Sequence, residues 1–197
     1  FGKEELCPNT NLTIRWSSEG LTSSDTFDLE IKNEPESEWK PLASNVVGSF
    51  YTFSIPSTLL GKVWFRITHK RGLIATIAAP VTILELPKIV QTGSNPQNLQ
   101  ICEGDSVQFW VQAKGSRLKY QWKYNNTNFI NGNDSLLVLR NLEESNSGNY
   151  KVVVSGACEP PVESPQFLLD VIPATRILYY SADTTVKKDT KLVLNVY

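Results

Sequence analysis

Cysteine and histidine, which most often serve as nucleophiles, general bases and metal ligands, are scarce in this chain of 197 residues. It contains Cys7, Cys102 and Cys158, together with a single histidine, His69. Zinc sites are built from Cys and His at close spacing, and the chain has no Cys-x-x-Cys pair. The cysteines therefore indicate structural disulfides and an oxidising compartment, although three is an odd number.

The remaining polar residues give little support to catalysis. His69 lies in Thr68-His-Lys-Arg-Gly72, a predicted hairpin tip where it should be solvated, and no Ser or Cys lies in a nucleophile motif. The adjacent carboxylates Glu143 and Glu144 lie in a turn, whereas acid–base catalysis needs two carboxylates aimed into one cleft. The oxygen-rich stretch 131–135 lacks the spacing of a calcium loop. We predict a non-enzymatic protein without catalytic residues, cofactor or metal.

Two of the five tryptophans are candidates for contact with a ligand. Trp110 alternates with the inward-facing Phe109 and Val111, so it should point out of the core. Trp39 lies in a polar stretch that resembles a hairpin. An exposed Trp can stack on a sugar ring or anchor a protein partner, but a neighbouring strand or domain can also cover it. The other three are predicted to be core residues: Trp16, Trp64 and Trp122.

The elements that would position these residues are short β-strands. Alternating apolar and polar runs are separated by Gly, Pro, Asn, Ser and Asp, and helical periodicity is nearly absent. Such runs occupy residues 26–31, 63–68, 107–111 and 150–154. With 41% hydrophobic residues, the composition is globular. The pattern predicts an all-β protein built from sandwiches.

The charge and the apolar runs limit the partners. The net charge is −1 and no basic stripe is present, so we expect no binding to nucleic acid. No run of 18 apolar residues occurs, so we expect no insertion into a membrane. The chain has no Met, begins at Phe1 and ends in a strand-like run, so we expect it to be a piece of a longer protein.

One pattern recurs three times along the chain. A polar turn followed by alternating apolar residues occupies Cys7–Trp16, Cys102–Val111 and Lys187–Val196. These starts are roughly one sandwich apart, and Pro-containing junctions follow apolar runs at Leu86-Pro87 and Ile172-Pro173. We predict a first sandwich over 1–86, a second over 87–172, and the opening strands of a third over 173–197.

The second repeat resembles an I-set-like immunoglobulin domain over its whole length. Gly104 precedes the first core strand, Trp122 lies on the next, and Glu143–Tyr150 resembles the Asp-x-Gly-x-Tyr corner motif. Asn146 stands where that motif has Asp. The resemblance implies tandem immunoglobulin-like β-sandwiches with Trp122 and Tyr150 in the core, and a Tyr hydroxyl bonded to the backbone upstream.

The cysteines depart from the antibody pattern, which would place them at Val111 and Val152. Their displaced positions resemble those in repeats of large surface and secreted proteins of Bacteroidetes-type bacteria. The first repeat resembles, more loosely, the fibronectin-like companion module of those proteins. The resemblance implies an extracellular or cell-surface location, as a surface adhesin, a gliding-associated protein or the non-catalytic tail of a secreted enzyme.

The resemblance also bears on the disulfide. In such a sandwich the position before the second strand and the loop after the sixth lie at opposite ends, about 26 Å apart at 3.3 Å per residue. Cys102 and Cys158 should then not meet, whereas Cys7 and Cys158 both lie near the inter-domain junction. Our hypothesis is a Cys7–Cys158 bridge between domains. An ordinary Cys102–Cys158 bridge within one domain and unpaired cysteines remain alternatives.

Three functions remain open. The first is a non-catalytic structural or adhesive repeat module, whose partners are neighbouring repeats of the same chain and a protein or glycan at a surface. The second is a glycan-binding accessory module of a secreted hydrolase, which would use Trp39 or Trp110. The third is a eukaryotic immunoglobulin-family receptor ectodomain, which would carry N-glycans at the sequons of Asn11 or Asn125.

Overall fold

A computed structural model describes residues 4–17, 20, 22, 24–34, 36, 38–76 and 80–174, which are almost entirely β-structure. Within these ranges one short 3₁₀ turn interrupts the strands, so the prediction of an all-β fold is confirmed. The predicted third repeat lies outside the described residues apart from Pro173 and Ala174. No helix within the described part of the chain is long and apolar enough to cross a membrane.

The N-terminal sandwich contains strands β1 to β8. They are Glu5–Leu6, Asn11–Arg15, Thr26–Asn33, Lys40–Val47, Phe50–Ser54, Gly61–His69, Ile74–Thr76 and Val81–Ile83. One sheet has the order β1-β8-β6-β3-β4, with β7 also beside β6, and the other consists of β2 and β5. β1 runs parallel to β8 and places Leu6 opposite Ile83.

The core of the N-terminal sandwich follows from strict alternation along its strands. In β6, Val63, Phe65 and Ile67 are buried while the residues between them are not. β2 contributes Leu12 and Ile14 from the facing sheet in the same way. Because successive side chains of a strand point to opposite faces, each strand buries its apolar set against the other sheet.

The C-terminal sandwich contains strands β9 to β17. They are Lys88–Asn95, Gln100–Cys102, Val107–Lys114, Lys119–Tyr124, Thr127–Asn128, Leu136–Leu139, Gly148–Ser155, Val162–Glu163 and Phe167–Ile172. One sheet has the order β10-β17-β15-β12-β13, with β16 also beside β15, and the facing sheet is β14-β11-β9. The 3₁₀ turn Glu144–Asn146 leads into β15.

Trp122 lies at the centre of the C-terminal core and is fully buried. It stands opposite Val152 on the next strand, and its indole N–H donates to the Asp134 carbonyl oxygen at 2.9 Å. Val111 is also buried, so apolar packing occupies the positions where an antibody domain carries its disulfide. Satisfying the indole donor matters because a buried polar group without a partner is costly.

The corner before β15 is fixed by a tyrosine. The hydroxyl of Tyr150 donates to the carbonyl oxygen of Asn146 at 2.9 Å, and the side chain is 1% exposed. Burial, with a smaller contribution from Tyr124, raises the pKa of Tyr150 to about 12. The hydroxyl therefore stays protonated and keeps donating throughout the neutral range.

Two predictions about side-chain position are wrong, and both concern β6. His69 is 3% exposed, not solvated, because β6 continues in register to this residue and its inward phase ends there. Trp64 is partly exposed, because Val63 and Phe65 take the inward positions on either side of it. Trp16 is half-buried and packs edge-on against Phe27.

Candidate functional site: the junction between the sandwiches

A disulfide joins the two sandwiches. Cys7 directly follows β1, and Cys158 lies in the loop after β15. Their Cα atoms are 5.6 Å apart, within the usual range for a disulfide, although 151 residues separate them in sequence. Of the pairings considered, the structure has the one between sandwiches. Cys158 is 1% exposed, so the bridge is enclosed on the side of the C-terminal sandwich.

The connection between β8 and β9 is hydrogen-bonded to the C-terminal sandwich. The backbone N–H of Glu85 donates to the Ser116 hydroxyl at 2.9 Å, and the Ser116 N–H donates to the Glu85 carbonyl at 3.0 Å. The Ser116 carbonyl in turn accepts from the Ala157 N–H at 2.8 Å. Ser116 therefore ties the linker to the loop that carries Cys158.

Two glycines allow this close approach. A Cβ at Gly115 would clash with the Leu118 side chain and the Pro87 backbone, and its φ of +143° also disfavours other residues. A Cβ at Gly156 would press against the Ser116 carbonyl oxygen. Glycine lets backbones approach where any side chain would hold them apart, so these positions set how closely linker and loops pack.

An ion pair lies at the rim of the junction. Arg117, at the tip of the loop between β11 and β12, contacts Glu5 of β1 with Nη1 and Oε2 2.7 Å apart. Both side chains are largely exposed, so solvent screening leaves the pair a small contribution to stability.

Cys102 is not part of this junction. It is the last residue of β10, stands opposite Ile172 at the end of the last strand, and is an exposed free thiol. Cys102 therefore lies beside the last strand, β17, where that strand ends. The two cysteines of this sandwich thus lie in different surroundings, one bridged and one free.

Trp110 lies on the outer face of the β14-β11-β9 sheet. It stands opposite Gly93 and the exposed Leu136, and a Cβ at Gly93 would clash with its indole ring. The ring therefore lies directly over the Gly93 backbone and is only partly exposed. Gln108 and Gln112, which point to the same face by alternation, flank it.

Trp39 belongs to a row of aromatic and charged side chains on the outer face of β3 and β6. Its ring lies 4.7 Å from the Arg66 guanidinium and 5.2 Å from the Lys32 ammonium, which is also 5.5 Å from Trp64. Arg66 forms a two-pronged contact with Glu30 at 2.6 and 2.8 Å. These hydrogen bonds from Arg66 hold the pKa of Glu30 below its usual range. Each charged side chain of the row therefore has a partner within the row: Arg66 pairs with Glu30 and Trp39, and Lys32 contacts Trp39 and Trp64.

His69 forms a small polar cluster at the edge of the N-terminal core. Its Nδ1 accepts from the Arg71 backbone N–H at 3.1 Å, so the ring proton of the neutral form lies on Nε2, 3.2 Å from Asp25 Oδ1. Phe27 packs against the ring at 5.3 Å. The backbone N–H of Thr22 is the main cause that lowers the pKa of Asp25, and His69 and Arg71 act in the same direction. The cluster closes a turn and presents no reactive atom.

No metal centre is formed in the described ranges, where no group of three or more His, Cys, Asp and Glu side chains is suitably placed. An open depression of about 200 Å³ lies beside β3, and Glu36 and Lys40 on its rim form an ion pair at 2.7 Å. These side chains face solvent, so they do not form the enclosed cleft that acid–base catalysis needs.

Sequence reasoning missed two features of these surfaces. The His69–Asp25 pair was missed because β6 was predicted to end one residue earlier. The row around Trp39 was missed because Trp64 was placed in the core. A signal for it existed, since Glu30 and Lys32 alternate along one strand as Trp64 and Arg66 do along the next. Glu30 stands opposite Arg66 and Lys32 stands opposite Trp64, and outward-facing pairs of these two kinds, ion pair and cation–π, predict cross-strand contacts.

The sequence matches no protein-family model and no curated protein. It is similar in structure to DIP-gamma IG1+IG2, with 15% identity over 86% of this chain and 93% of that chain, at a TM-score of 0.58. A structure of Dpr11 IG1 bound to DIP-gamma IG+IG2 is 17% identical over 86% of this chain and 94% of that chain, at a TM-score of 0.50.

The N-terminal four Ig domains of Dscam1 isoform 8.4 give 12% identity and a TM-score of 0.47, with 85% of this chain covering 42% of that one. This chain therefore spans less than half of that four-domain structure. Together with the sheet order, the likeness to DIP-gamma IG1+IG2 shows that the chain has the fold of tandem immunoglobulin-like β-sandwiches.

Proposed function

We propose that this chain is a non-catalytic structural or adhesive module of a large extracellular or cell-surface protein, in which stapled sandwiches form a stiff spacer. The observation that carries the proposal is the Cys7–Cys158 bridge, which crosses the predicted boundary between domains. A disulfide within one sandwich would stabilise that sandwich alone. A disulfide between sandwiches acts on their relative orientation.

Two covalent connections restrict a pair of domains more than one does. The linker through Glu85 is the first connection, and the bridge from Cys7 to Cys158 is the second. A single short linker permits bending in any direction, whereas two separated attachments prevent hinge opening away from either of them. The hydrogen bonds of Ser116 connect the linker at Glu85 with Ala157, next to Cys158, and oppose rotation of one sandwich relative to the other.

The bridge also supports the proposed location. Disulfides persist in oxidising compartments outside the cytosol, and closing a loop of 151 residues stabilises the folded pair by about 5 kcal/mol in the chain-entropy description. The resemblance of the displaced cysteines to those of Bacteroidetes-type surface repeats agrees with this location. Neighbouring sandwiches of the same chain are the first partners that the proposal implies.

Small-angle X-ray scattering tests the proposal on variants that differ only in the bridge. The reference is Cys102→Ser, which keeps the bridge and removes the free thiol. The comparison is the same chain with Cys7→Ser and Cys158→Ser added. We expect a broader distance distribution and a larger radius of gyration without the bridge. Superimposable curves for the two variants would show that the bridge does not set the orientation.

A glycan-binding module is a second candidate, supported by the position of Trp110. An indole that lies over a glycine backbone, flanked by the amides of Gln108 and Gln112, offers a stacking surface with neutral hydrogen-bonding groups for a sugar. A pulldown on insoluble polysaccharides tests it with Trp110→Ala and, as a matched comparison, Trp39→Ala. Retention that Trp110→Ala alone abolishes would favour this candidate over the spacer.

A receptor ectodomain of the eukaryotic immunoglobulin family is a third candidate. The fold likeness to DIP-gamma IG1+IG2 agrees with it at least as well as with a bacterial repeat. The sequon residues Asn11 and Asn125 are both exposed and therefore accessible to a glycosyltransferase. A loss of mass on treating the native protein with an N-glycosidase would favour this candidate, and an unchanged mass would exclude it.

A further inference from the structure

The outer face of the β14-β11-β9 sheet has no charged side chain over residues 91–95, 107–112 and 136–139, although 20% of the residues in the chain are charged. Val107, Phe109 and Val111 are buried, so the residues of the other phase point outward. These outward positions are Gln91, Gly93 and Asn95 on β9, Gln108, Trp110 and Gln112 on β11, and Leu136 and Val138 on β14. We call these eight residues the uncharged face.

The other sheet of the same sandwich has a charged outer face. Glu163 of β16 lies 2.8 Å from the Lys151 ammonium of β15 and 3.8 Å from that of Lys123 on β12. Both sheets enclose the same core, so the core does not require one outer face to be free of charge. Covering the uncharged face removes no ion from water, so its dehydration costs less than that of the other sheet.

Trp110 lies at the centre of the uncharged face. A Cβ at Gly93 would lie 2.4 Å from a ring atom of the indole, so the ring fills the gap that the glycine leaves. Leu136, opposite Trp110 on the other neighbouring strand, is 45% exposed. Protein interfaces combine such an aromatic and aliphatic centre with polar residues around it and few charges at the core. The face therefore has the composition of an interface between proteins.

A second copy of this chain suits a face of this composition. In a twofold contact the same surface lies on both sides, so the residue types of the face meet one another. Like charges would repel there, whereas a Gln amide both donates and accepts hydrogen bonds and can pair with another Gln. Gln91, Gln108 and Gln112 are therefore matched to one another, as Trp110 and Leu136 are.

Charges at the two ends of the face favour one orientation of the two copies. Lys88 and Lys114 stand opposite each other at the end near the junction, and both are exposed. The exposed Asp105 lies at the other end, shortly before β11 begins at Val107. A twofold axis that crosses β11 at Trp110 makes the two β11 strands antiparallel and brings the lysines of one copy towards Asp105 of the other. A parallel arrangement would place lysines beside lysines.

We infer that the uncharged face is the contact surface of a weak homodimer, in which two copies pack their β14-β11-β9 sheets face to face with antiparallel β11 strands. The inference goes beyond the proposed spacer and does not depend on the Cys7–Cys158 bridge. With strands about 4.8 Å apart and about 6.7 Å between outward residues, eight positions span roughly 260 Å² of sheet plane. Stable complexes bury about 800 Å² per partner, so we expect a dissociation constant on the order of 0.1 mM.

Sedimentation velocity over a series from about 10 µM to about 1 mM tests the inference. Every protein carries Cys102→Ser, which removes the exposed thiol and with it any disulfide-linked dimer. We expect a shift from monomer to dimer as the concentration rises. Leu136→Lys places like charges across the twofold axis and should raise the dissociation constant at least about tenfold. Leu168→Lys, at a 65% exposed position on β17, is the matched control and should leave it unchanged.

Two double variants test the antiparallel orientation, in which Gln108 of one copy faces Gln112 of the other. Gln108→Glu with Gln112→Glu places like charges opposite each other and should weaken the dimer. Gln108→Glu with Gln112→Lys places unlike charges there and should weaken it less. Added salt should reduce the difference between the two variants, because it screens both interactions.

Four results would refute the inference. They are a chain that stays monomeric over the whole series, a dimer that Leu136→Lys does not weaken, equal weakening by Leu168→Lys, and equal association of the two double variants. Retention of a monomeric chain on insoluble polysaccharide through Trp110 would also refute it and would favour the glycan-binding candidate. All variants keep Cys7 and Cys158, so the proposed spacer is judged separately, by scattering.

Discussion

At the scale of single residues, buried polar groups fix the corners of both sandwiches. The hydroxyl of Tyr150 pins the 3₁₀ turn by donating to the carbonyl oxygen of Asn146, and in the N-terminal sandwich Asp25, which closes a turn with Thr22, pairs with His69. In each case a polar group that burial would penalise is paired with a specific partner. Removing one partner should therefore cost stability without changing the fold.

Replacing Tyr150 by Phe removes this hydrogen bond and keeps the ring. We expect the free energy of unfolding of the C-terminal sandwich to fall by about 1 kcal/mol, since the Asn146 carbonyl loses its partner. Urea denaturation followed by Trp fluorescence measures the change. The matched control is Tyr120→Phe, whose hydroxyl makes no hydrogen bond to a described residue. Equal stability of the two variants would contradict the role of the corner.

The lowered pKa of Asp25 predicts a loss of stability in acid. A carboxyl whose pKa is lower folded than unfolded contributes stability above its unfolded pKa and loses it as the pH falls through the folded pKa. Between about pH 5 and pH 2, the native chain should therefore lose more unfolding free energy than Asp25→Asn.

Urea unfolding at a series of pH values measures this difference. Glu144→Gln, at the exposed 3₁₀ turn, is the control and should follow the native chain. Parallel pH profiles for the native chain and Asp25→Asn would contradict the proposed pairing of Asp25 with Thr22 and His69.

Residue positions could be predicted wherever alternation had one consistent phase. Val107, Phe109 and Val111 are buried as their spacing predicts. In Val63-Trp64-Phe65-Arg66 two large aromatics are adjacent, so residue size alone does not choose the phase. The polar Arg66 shares the phase of Trp64 and so places Trp64 outside, whereas His69 shares the inward phase of Val63 and Phe65. Burial of His69 could not be predicted from composition, because its partner Asp25 lies on a different segment.

At the scale of elements, the pairing of β9 with β11 depends on one close approach. The Trp110 ring lies over Gly93, so the sheet has no room for a side chain there. Alanine normally stabilises a strand relative to glycine, because glycine is more flexible when unfolded. At Gly93 we expect the opposite effect, so that alanine destabilises the strand.

We predict that Gly93→Ala lowers the free energy of unfolding by about 1–3 kcal/mol, because it forces the indole away from the sheet. Thermal or urea unfolding measures the loss, and a red shift of the fluorescence would report the displaced indole. In a Trp110→Ala background the same substitution should be neutral or stabilising. A loss of equal size in both backgrounds would contradict the contact as the cause.

The positions of strands could be predicted where the sequence pattern repeats, whereas the contacts between the two sandwiches could not. Aligning the repeats places Cys7 and Cys102 before corresponding strands, and the structure gives both the same register and turn. The bonds of Ser116 to Glu85 and Ala157 join segments far apart in sequence. No periodicity within a strand encodes such contacts, so the packing of the junction emerges only from the assembled fold.

At the scale of the whole molecule, we expect the junction to hold the two sandwiches as one body. Gly115 and Gly156 permit close packing, Ser116 ties the linker, and the bridge between Cys7 and Cys158 adds the second covalent attachment. The proposed spacer would transmit orientation from one sandwich to the next.

Nitrogen-15 NMR relaxation of the oxidised Cys102→Ser chain tests this rigidity most directly. Amides of β1 to β8 report the tumbling of the N-terminal sandwich, and those of β9 to β17 report that of the C-terminal one. We predict that a single rotational diffusion tensor fits both sets while the bridge is intact. Two independent tensors with shorter correlation times, in a chain whose Cys7–Cys158 bond is verified by mass, would contradict the account.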